Sequence, residues 1–175
     1  TVTVIDGATN VTATVGTGDL PNAVVVNSVT NKVYVPNFGD NTVTVIDGAT
    51  NITSTVGAGV EPIGLALNPV TNKVYVANYR SDTVTVIDGA TNVTTTLNVG
   101  MTPQRVVVNP ATTKIYVASS GDNTVTVIDG ATNVTATIAV GLSPIFMAVN
   151  PVTNKVYVAN NSGNTVTIID GVTNS

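Results

Sequence analysis

Hydroxyl and aliphatic residues alternate in short stretches along this chain. Thr1 to Ile5 reads Thr-Val-Thr-Val-Ile and stops at Asp6-Gly7, and Val11 to Val15 resumes the alternation. Alternation with a period of two is typical of a half-exposed β-strand, and Asp-Gly is typical of a hairpin turn. The segment therefore predicts a β-hairpin.

Two further strands follow each hairpin. Ala23 to Val26 is a continuous apolar run, which suits a strand covered on both faces. Lys32 to Val35 follows after a turn that carries Pro at its second position in the later copies, as type I turns favour. The pattern has no helical periodicity. One unit thus predicts four strands, A (Ala23–Val26), B (Lys32–Val35), C (Thr42–Ile46) and D (Ile52–Val56).

The four-strand unit repeats every 41 residues without insertion or deletion. The chain is a single array of repeats 1–41, 42–82, 83–123 and 124–164 with a partial fifth copy, 165–175. Such a period indicates units that must stack because none buries a core alone. Four antiparallel strands per unit predict an all-β fold, a β-propeller of four-stranded blades with strand A innermost and strand D outermost. A parallel β-solenoid is the competing fold, although its turns are generally shorter.

The strand count raises a problem of closure. Four blades close if Val11–Val15 completes the blade begun by the last A, B and C strands, but one C strand, Thr1–Ile5 or Thr165–Ile169, is then surplus. A lone strand edge is an aggregation hazard unless something pairs with it. Three arrangements remain open: strand addition to a neighbouring copy, an eight-bladed ring of two chains, or a sequence that is part of a longer array. The absence of an initiator Met also favours the third.

Composition excludes several classes of function. Charged residues make up 9% of the chain, where about 25% is typical, and the net charge is −4. This gives no basic footprint for nucleic acid, and no apolar run is long enough for a membrane span. With no His, no Cys and a single Glu, the sequence predicts no catalytic residues, no metal site and no cofactor. An enzyme is therefore not expected.

Two charged positions recur in every unit. An aspartate precedes Gly in each C–D turn, and its interpretation as a turn residue is favoured over a ring of calcium ligands. A lysine begins each B strand and is interpreted as a solvated edge. The residues are Asp6, Asp47, Asp88, Asp129 and Asp170, with Lys32, Lys73, Lys114 and Lys155.

Asparagine sequons also recur in register. The C–D turn of each complete unit matches the N-glycosylation pattern, and one further match lies in the last B–C loop. Duplication of a single turn explains the repetition equally well. Glycosylation is favoured because the D strand is outermost, where an attached sugar would be exposed to solvent. The predicted glycosylation sites are Asn10, Asn51, Asn92, Asn133 and Asn160.

The units differ mainly in the D–A and B–C loops, which lie at one end of the blades. That end holds both arginines and several aromatic residues, so it is the candidate binding face, although drift on tolerant loops is the simpler explanation. Its residues are Phe38, Glu61, Tyr79, Arg80, Arg105 and Phe146.

Asn-Lys-Val-Tyr-Val-Ala-Asn at 72–78 and 154–160, together with Thr-Val-Thr-Val-Ile-Asp-Gly, resembles the YVTN-repeat β-propeller family. The tetrapeptide departs from the family at its third position, and Ser119 replaces its last Asn once. The resemblance implies an extracellular or cell-surface protein of the surface-layer type, with no catalytic residues. We expect a glycosylated structural propeller that assembles with copies of itself into a filament, surface layer or appendage. A propeller that binds a saccharide, peptide or metal ion is the alternative.

Overall fold

The computed structural model describes all 175 residues and contains 17 β-strands. The strands are β1 (Val2–Ile5), β2 (Thr12–Val15), β3 (Val25–Asn27), β4 (Lys32–Asn37), β5 (Thr42–Asp47), β6 (Thr53–Gly57), β7 (Pro62–Asn68), β8 (Lys73–Asn78), β9 (Thr83–Asp88), β10 (Thr94–Asn98), β11 (Pro103–Val108), β12 (Lys114–Ser119), β13 (Thr124–Asp129), β14 (Thr135–Ala139), β15 (Pro144–Asn150), β16 (Lys155–Asn160) and β17 (Thr165–Asp170). The structure has no helix long and apolar enough to cross a membrane.

The strands form five antiparallel sheets. Blades 1, 2 and 3 are the four-stranded sheets β3–β6, β7–β10 and β11–β14, in chain order from one edge to the other. Blade 4 has only β15, β16 and β17, and the N-terminal half-blade has only β1 and β2. The first strands of successive blades contact each other, so strand A is innermost, as the continuous apolar runs predict.

The blades do not close into a four-bladed ring. Strand β2 pairs with β1 alone, and β17 pairs with β16 alone. The hairpin β1–β2 instead packs on blade 1, where Val15 contacts a cluster that includes Val35 and Ile46. The first and last sheets therefore share no strand pairing, and we call this open arrangement of sheets the arc.

Turn residues with positive φ account for much of the asparagine content. Asn31, Asn72 and Asn154 have φ of 53°, 52° and 52° in the A–B turn, a left-handed conformation that Asn tolerates better than most residues. In blade 3 the same position is Thr113, with φ of 58°. A β-branched residue is poorly suited to this region, so Thr113 is a strained position.

Thr113 also leaves a buried amide without a partner. Asn27 Nδ2 donates to Asn72 Oδ1 at 2.8 Å, and Asn109 Nδ2 donates to Asn154 Oδ1 at 2.6 Å. The equivalent donor in blade 2, Asn68 Nδ2, is buried and has no acceptor, because Thr113 stands where the asparagine would be.

Thr113→Asn is therefore expected to stabilise the protein by about 1–2 kcal/mol, by relieving the left-handed strain and pairing Asn68 Nδ2. Urea unfolding followed by circular dichroism measures the change. The matched control is Asn72→Thr, which creates the same defect between blades 1 and 2 and should destabilise by a similar amount. An unchanged unfolding midpoint in both variants would contradict this account.

Candidate functional site

The interfaces between blades, which we call seams, contain the buried core. Each blade has a leading face toward the next blade and a trailing face toward the preceding one. In the seam between blades 2 and 3, Tyr75, Val84 and Val86 of the leading face pack against Ile115 and Val117 of the trailing face. The same pattern recurs in the seams before and after it, so the core is a row of similar interfaces.

A lysine also donates a hydrogen bond across each complete seam. Lys32 Nζ donates to the Gly89 carbonyl oxygen at 2.7 Å, and Lys73 Nζ donates to that of Gly130 at 3.1 Å. Lys114 Nζ donates to the Gly171 oxygen at 2.6 Å. The prediction of a solvated edge is therefore wrong for these three lysines, whereas Lys155 is exposed. Each of the three donating side chains reaches the C–D turn of the following blade and closes the seam at its nearly invariant end.

The leading face of blade 4 has nothing packed on it. Tyr157 is 37% exposed, whereas Tyr34, Tyr75 and Tyr116 at the same position are fully buried. Val166 is 60% exposed, and its equivalents Val43, Val84 and Val125 are also fully buried. This face is therefore a seam surface without a partner.

The trailing face of blade 1 is covered over its outer part only. The hairpin β1–β2 packs on Val33, Val35 and Ile46. Because the hairpin supplies no A or B strand, the inner strand β3 stays uncovered, and Val24 and Val26 are 57% and 55% exposed. The two ends of the arc thus both expose apolar seam surface.

Four of the six residues of the predicted binding face form two separate pairs, and the six do not share a pocket. Arg80 Nε donates to Glu61 Oε2 at 3.1 Å, which ties the B–C loop of blade 2 to the loop before β7. Arg105 lies over the ring of Phe146, 4.8 Å from its centroid. Phe38 and Tyr79 are half-buried beside the same loops. None of the six lines any of the five principal cavities.

Two open grooves lie on the surface, one beside blade 1 and one over the inner strands. A groove of 590 Å³ beside blade 1 is lined by eight residues, none of them hydrophobic, with Thr42, Thr44, Thr53 and Thr55 among them. An open groove of 600 Å³ runs over the inner strands and is lined mainly by aliphatic residues such as Val26, Leu67 and Val108. Neither groove gathers charged groups of the kind that catalysis uses.

The recurring aspartates act as turn residues. Asp88 Oδ1 accepts hydrogen bonds from the backbone N–H groups of Ala90 at 3.0 Å and Thr91 at 2.9 Å, and the other four aspartates repeat this turn. No group of three or more carboxylates converges on a point that suits a metal ion. The turn interpretation of these aspartates is confirmed.

These groups give the stability a defined pH dependence. The backbone N–H of the threonine three residues further along the chain lowers the pKa of Asp6, Asp47, Asp88 and Asp129. The backbone N–H of Val172 lowers the pKa of Asp170. Burial raises the pKa of Tyr34, Tyr75 and Tyr116 above 10.0. A carboxyl group whose pKa is lowered stabilises the fold at pH values above its pKa in the unfolded chain. A phenol whose pKa is raised stabilises the fold at pH values below its pKa in the unfolded chain.

The urea midpoint is therefore expected to be flat near neutrality, to fall as the pH drops below about 4, and to fall again as it rises above about 10. Unfolding curves across the pH range measure both limbs. A variant with Tyr34, Tyr75 and Tyr116 changed to Phe should lose much of the alkaline decline and keep the acid one. An alkaline limb of unchanged size in that variant would show that the phenols do not cause it.

The predicted sequons lie in different environments. Asn10 and Asn51 are exposed, whereas Asn92 and Asn133 are half-buried, with Oδ1 atoms enclosed and unpaired. Asn160 is 2% exposed, and its Nδ2 donates to Thr165 Oγ1 at 3.1 Å and to Thr167 Oγ1 at 2.9 Å. The fold disfavours Asn160 as a glycan acceptor, because its amide nitrogen is buried and bonded.

Radially ordered four-stranded antiparallel sheets, packed face to face, define a β-propeller. No protein-family model matches the sequence, and no curated protein is significantly similar to it.

Among solved structures, the chain is similar to hydrazine synthase of Kuenenia stuttgartiensis, with 23% identity, a TM-score of 0.80, and coverage of 88% of this chain and 47% of that one. It is also similar to the dihydro-heme d1 dehydrogenase NirN in complex with DHE, with 16% identity, a TM-score of 0.83, and coverage of 99% of this chain and 40% of that one. Both are β-propeller proteins, and the chain spans less than half of either. At these identities the similarity establishes the fold alone.

Proposed function

We propose that this protein is an extracellular structural β-propeller of the YVTN-repeat, surface-layer type, which assembles with copies of itself into a filament, surface layer or appendage and carries glycans. The observation that carries the proposal is the repetition of one kind of seam along the array. The leading face of each complete blade packs on the trailing face of the next, so a blade has the surface that fits a blade of another copy as well as its own neighbour. A head-to-tail contact of this kind extends from copy to copy unless the rotation closes a ring.

The alternative role, a propeller that binds a saccharide, peptide or metal ion at the variable end, has weaker support. The charged and aromatic residues of that end already pair with one another, as Glu61 with Arg80 and Arg105 with Phe146. The two solved neighbours are enzymes by name, but this chain contains neither His nor Cys. The proposed role includes no catalysis.

Assembly is tested by size-exclusion chromatography with light scattering across a dilution series, followed by electron microscopy of the largest species. The proposal expects species of two or more chain masses that dissociate on dilution, and rings, fibres or sheets in the images. A single chain mass at every concentration would overturn it.

Glycosylation is tested by peptide mapping of protein from the native host. Exposure favours glycans at Asn10 and Asn51 over Asn92 and Asn133, whose side chains lie in complete seams. Bare asparagine at all four sequons would remove glycosylation from the proposed role and leave assembly intact.

A further inference from the structure

We propose that the outermost strands of the complete blades pair edge to edge with the same strands of a second copy, so that one blade from each copy forms a continuous antiparallel sheet. This inference rests on the proposed function and specifies a lateral contact within the assembly. It concerns strand β6 of blade 1, β10 of blade 2 and β14 of blade 3, each of which lies at the outer edge of its sheet.

Each outermost strand has a row of backbone groups that point away from its sheet. In an antiparallel pair, alternate residues direct their N–H and C=O groups toward the partner strand and away from it. In blade 2, the Asp88 N–H donates to the Val93 oxygen and the Val99 N–H donates to the Asp82 oxygen, which sets the phase of this alternation. Strand β10 lies between these two bonds, so its even-numbered residues direct both backbone groups away from β9.

Blades 1 and 3 have the same phase, because the equivalent bonds, Ala58 N–H to the Asn41 oxygen and Val140 N–H to the Asn123 oxygen, are present there. In each strand the outward backbone groups belong to alternate residues, all of them exposed. These residues are Thr53, Thr55 and Gly57 in β6, Thr94, Thr96 and Asn98 in β10, and Thr135, Thr137 and Ala139 in β14.

These edges lack the features that commonly keep edge strands from pairing. Exposed edges are usually protected by charged side chains, by proline or by a β-bulge. Strands β6, β10 and β14 contain no charged residue and no proline. Their pairing with the neighbouring C strands is regular, whereas the A–B pairs of blades 2, 3 and 4 each contain a register shift. Regular strands rich in Thr and aliphatic residues favour pairing with a further strand.

The partner that fits these edges is a second copy of the chain. An uncharged edge fits an uncharged partner strand, and each of the three complete blades supplies one of similar sequence. Within one chain the outermost strands stay in separate sheets, so they do not pair with each other. Because the edges belong to different blades, one copy can pair with several others, which extends the assembly sideways into a layer.

The register of the contact follows from the outward backbone groups. Residues that exchange hydrogen bonds in an antiparallel pair lie directly opposite each other. Two β10 strands meet this condition along their whole length when Thr96 of one copy lies opposite Thr96 of the other, which places Thr94 opposite Asn98. The equivalent central residues of β6 and β14 are Thr55 and Thr137. Threonine thus lies opposite threonine at the centre of each contact, and such cross-strand pairs are favourable.

The contact is tested by introducing charges at these central positions. One variant carries Thr55→Lys, Thr96→Lys and Thr137→Lys, and a second carries Thr55→Glu, Thr96→Glu and Thr137→Glu. Like charges directly opposite each other destabilise a strand pair, so each variant alone should self-associate at least about tenfold more weakly than the wild type in analytical ultracentrifugation. Mixing the two variants should restore association, because the introduced lysines then lie opposite the introduced glutamates. Recovery on mixing also excludes misfolding as the cause of the loss.

The matched control adds the same charge away from the strand edges. Val29→Lys, Val70→Lys and Val152→Lys lie in exposed A–B turns, and this triple variant should keep wild-type association. An equal loss in the turn variant would assign the effect to net charge and overturn the proposed contact.

Two further outcomes separate the contact from the proposed function. Assembled wild-type protein whose association is unchanged by the lysine and glutamate substitutions, or is lost in both variants without recovery on mixing, would overturn the edge contact and leave the proposed function standing. Wild-type protein that stays monomeric would overturn both, even if an added synthetic peptide, Thr-Thr-Thr-Leu-Asn, bound to the free edges.

Discussion

Tyr75→Ala is expected to lower the free energy of unfolding by about 3–5 kcal/mol, the range for truncating a large aromatic side chain in a core. Tyr75 is fully buried and packs in the cluster between blades 2 and 3 with Val106 and Ile115. Its hydroxyl is buried without a hydrogen-bond partner, so the ring and not the hydroxyl supplies the stabilisation. Urea unfolding followed by circular dichroism measures the loss.

The repeat supplies a matched control at the same position. Tyr157 occupies the equivalent site in blade 4, where no following blade packs on it, and it is 37% exposed. Tyr157→Ala should therefore cost much less than Tyr75→Ala. Equal losses in the two variants would contradict the view that the seams, and not the isolated blades, hold the array together. An unfolding curve with more than one step would also support that view, because neighbouring units in such an array are coupled only through their seams.

The blade could be predicted from the sequence because its signals are local. Alternating Thr and Val, an Asp-Gly turn and a continuous apolar run identify strands and turns within a few residues of one another. The predicted D strand Val11–Val15 is observed as Thr12–Val15. The predicted A strand Ala23–Val26 is observed as Val25–Asn27, because the chain before Val25 contributes only an isolated bridge at Pro21.

The relations between blades could not be predicted, because they depend on how far each blade turns relative to the next. Lys73 and Gly130 lie 57 residues apart and meet only through that rotation. Strands β17 and β2 do not pair with each other, and Asn92 is half-buried while the equivalent Asn51 is exposed. Repetition in the sequence identifies equivalent positions, but it does not show which of them face a neighbour.

The last residue of the recurring tetrapeptide has a structural role that its recurrence alone does not explain. Asn78 is fully buried, and its Nδ2 donates to Thr83 Oγ1 at 3.0 Å and to Thr85 Oγ1 at 2.9 Å. Thr85 Oγ1 also accepts from the Gly59 backbone N–H at 3.2 Å. The side chain thus connects the B–C turn with the loop that enters the blade, at the end where the units vary most.

Asn78→Ala is accordingly expected to destabilise the protein by about 2–3 kcal/mol, because two buried hydrogen bonds are lost and a small cavity is left. Blade 3 provides the control, since Ser119 stands at this position and its Oγ has no hydrogen-bond partner. Ser119→Ala should cost less than about 1 kcal/mol in the same urea titration, because it removes no hydrogen bond. Ser119→Asn should in turn stabilise blade 3 if the amide reaches Thr124 and Thr126, the equivalents of Thr83 and Thr85. Equal losses for Asn78→Ala and Ser119→Ala would contradict this role of the asparagine, and its recurrence would then need another explanation.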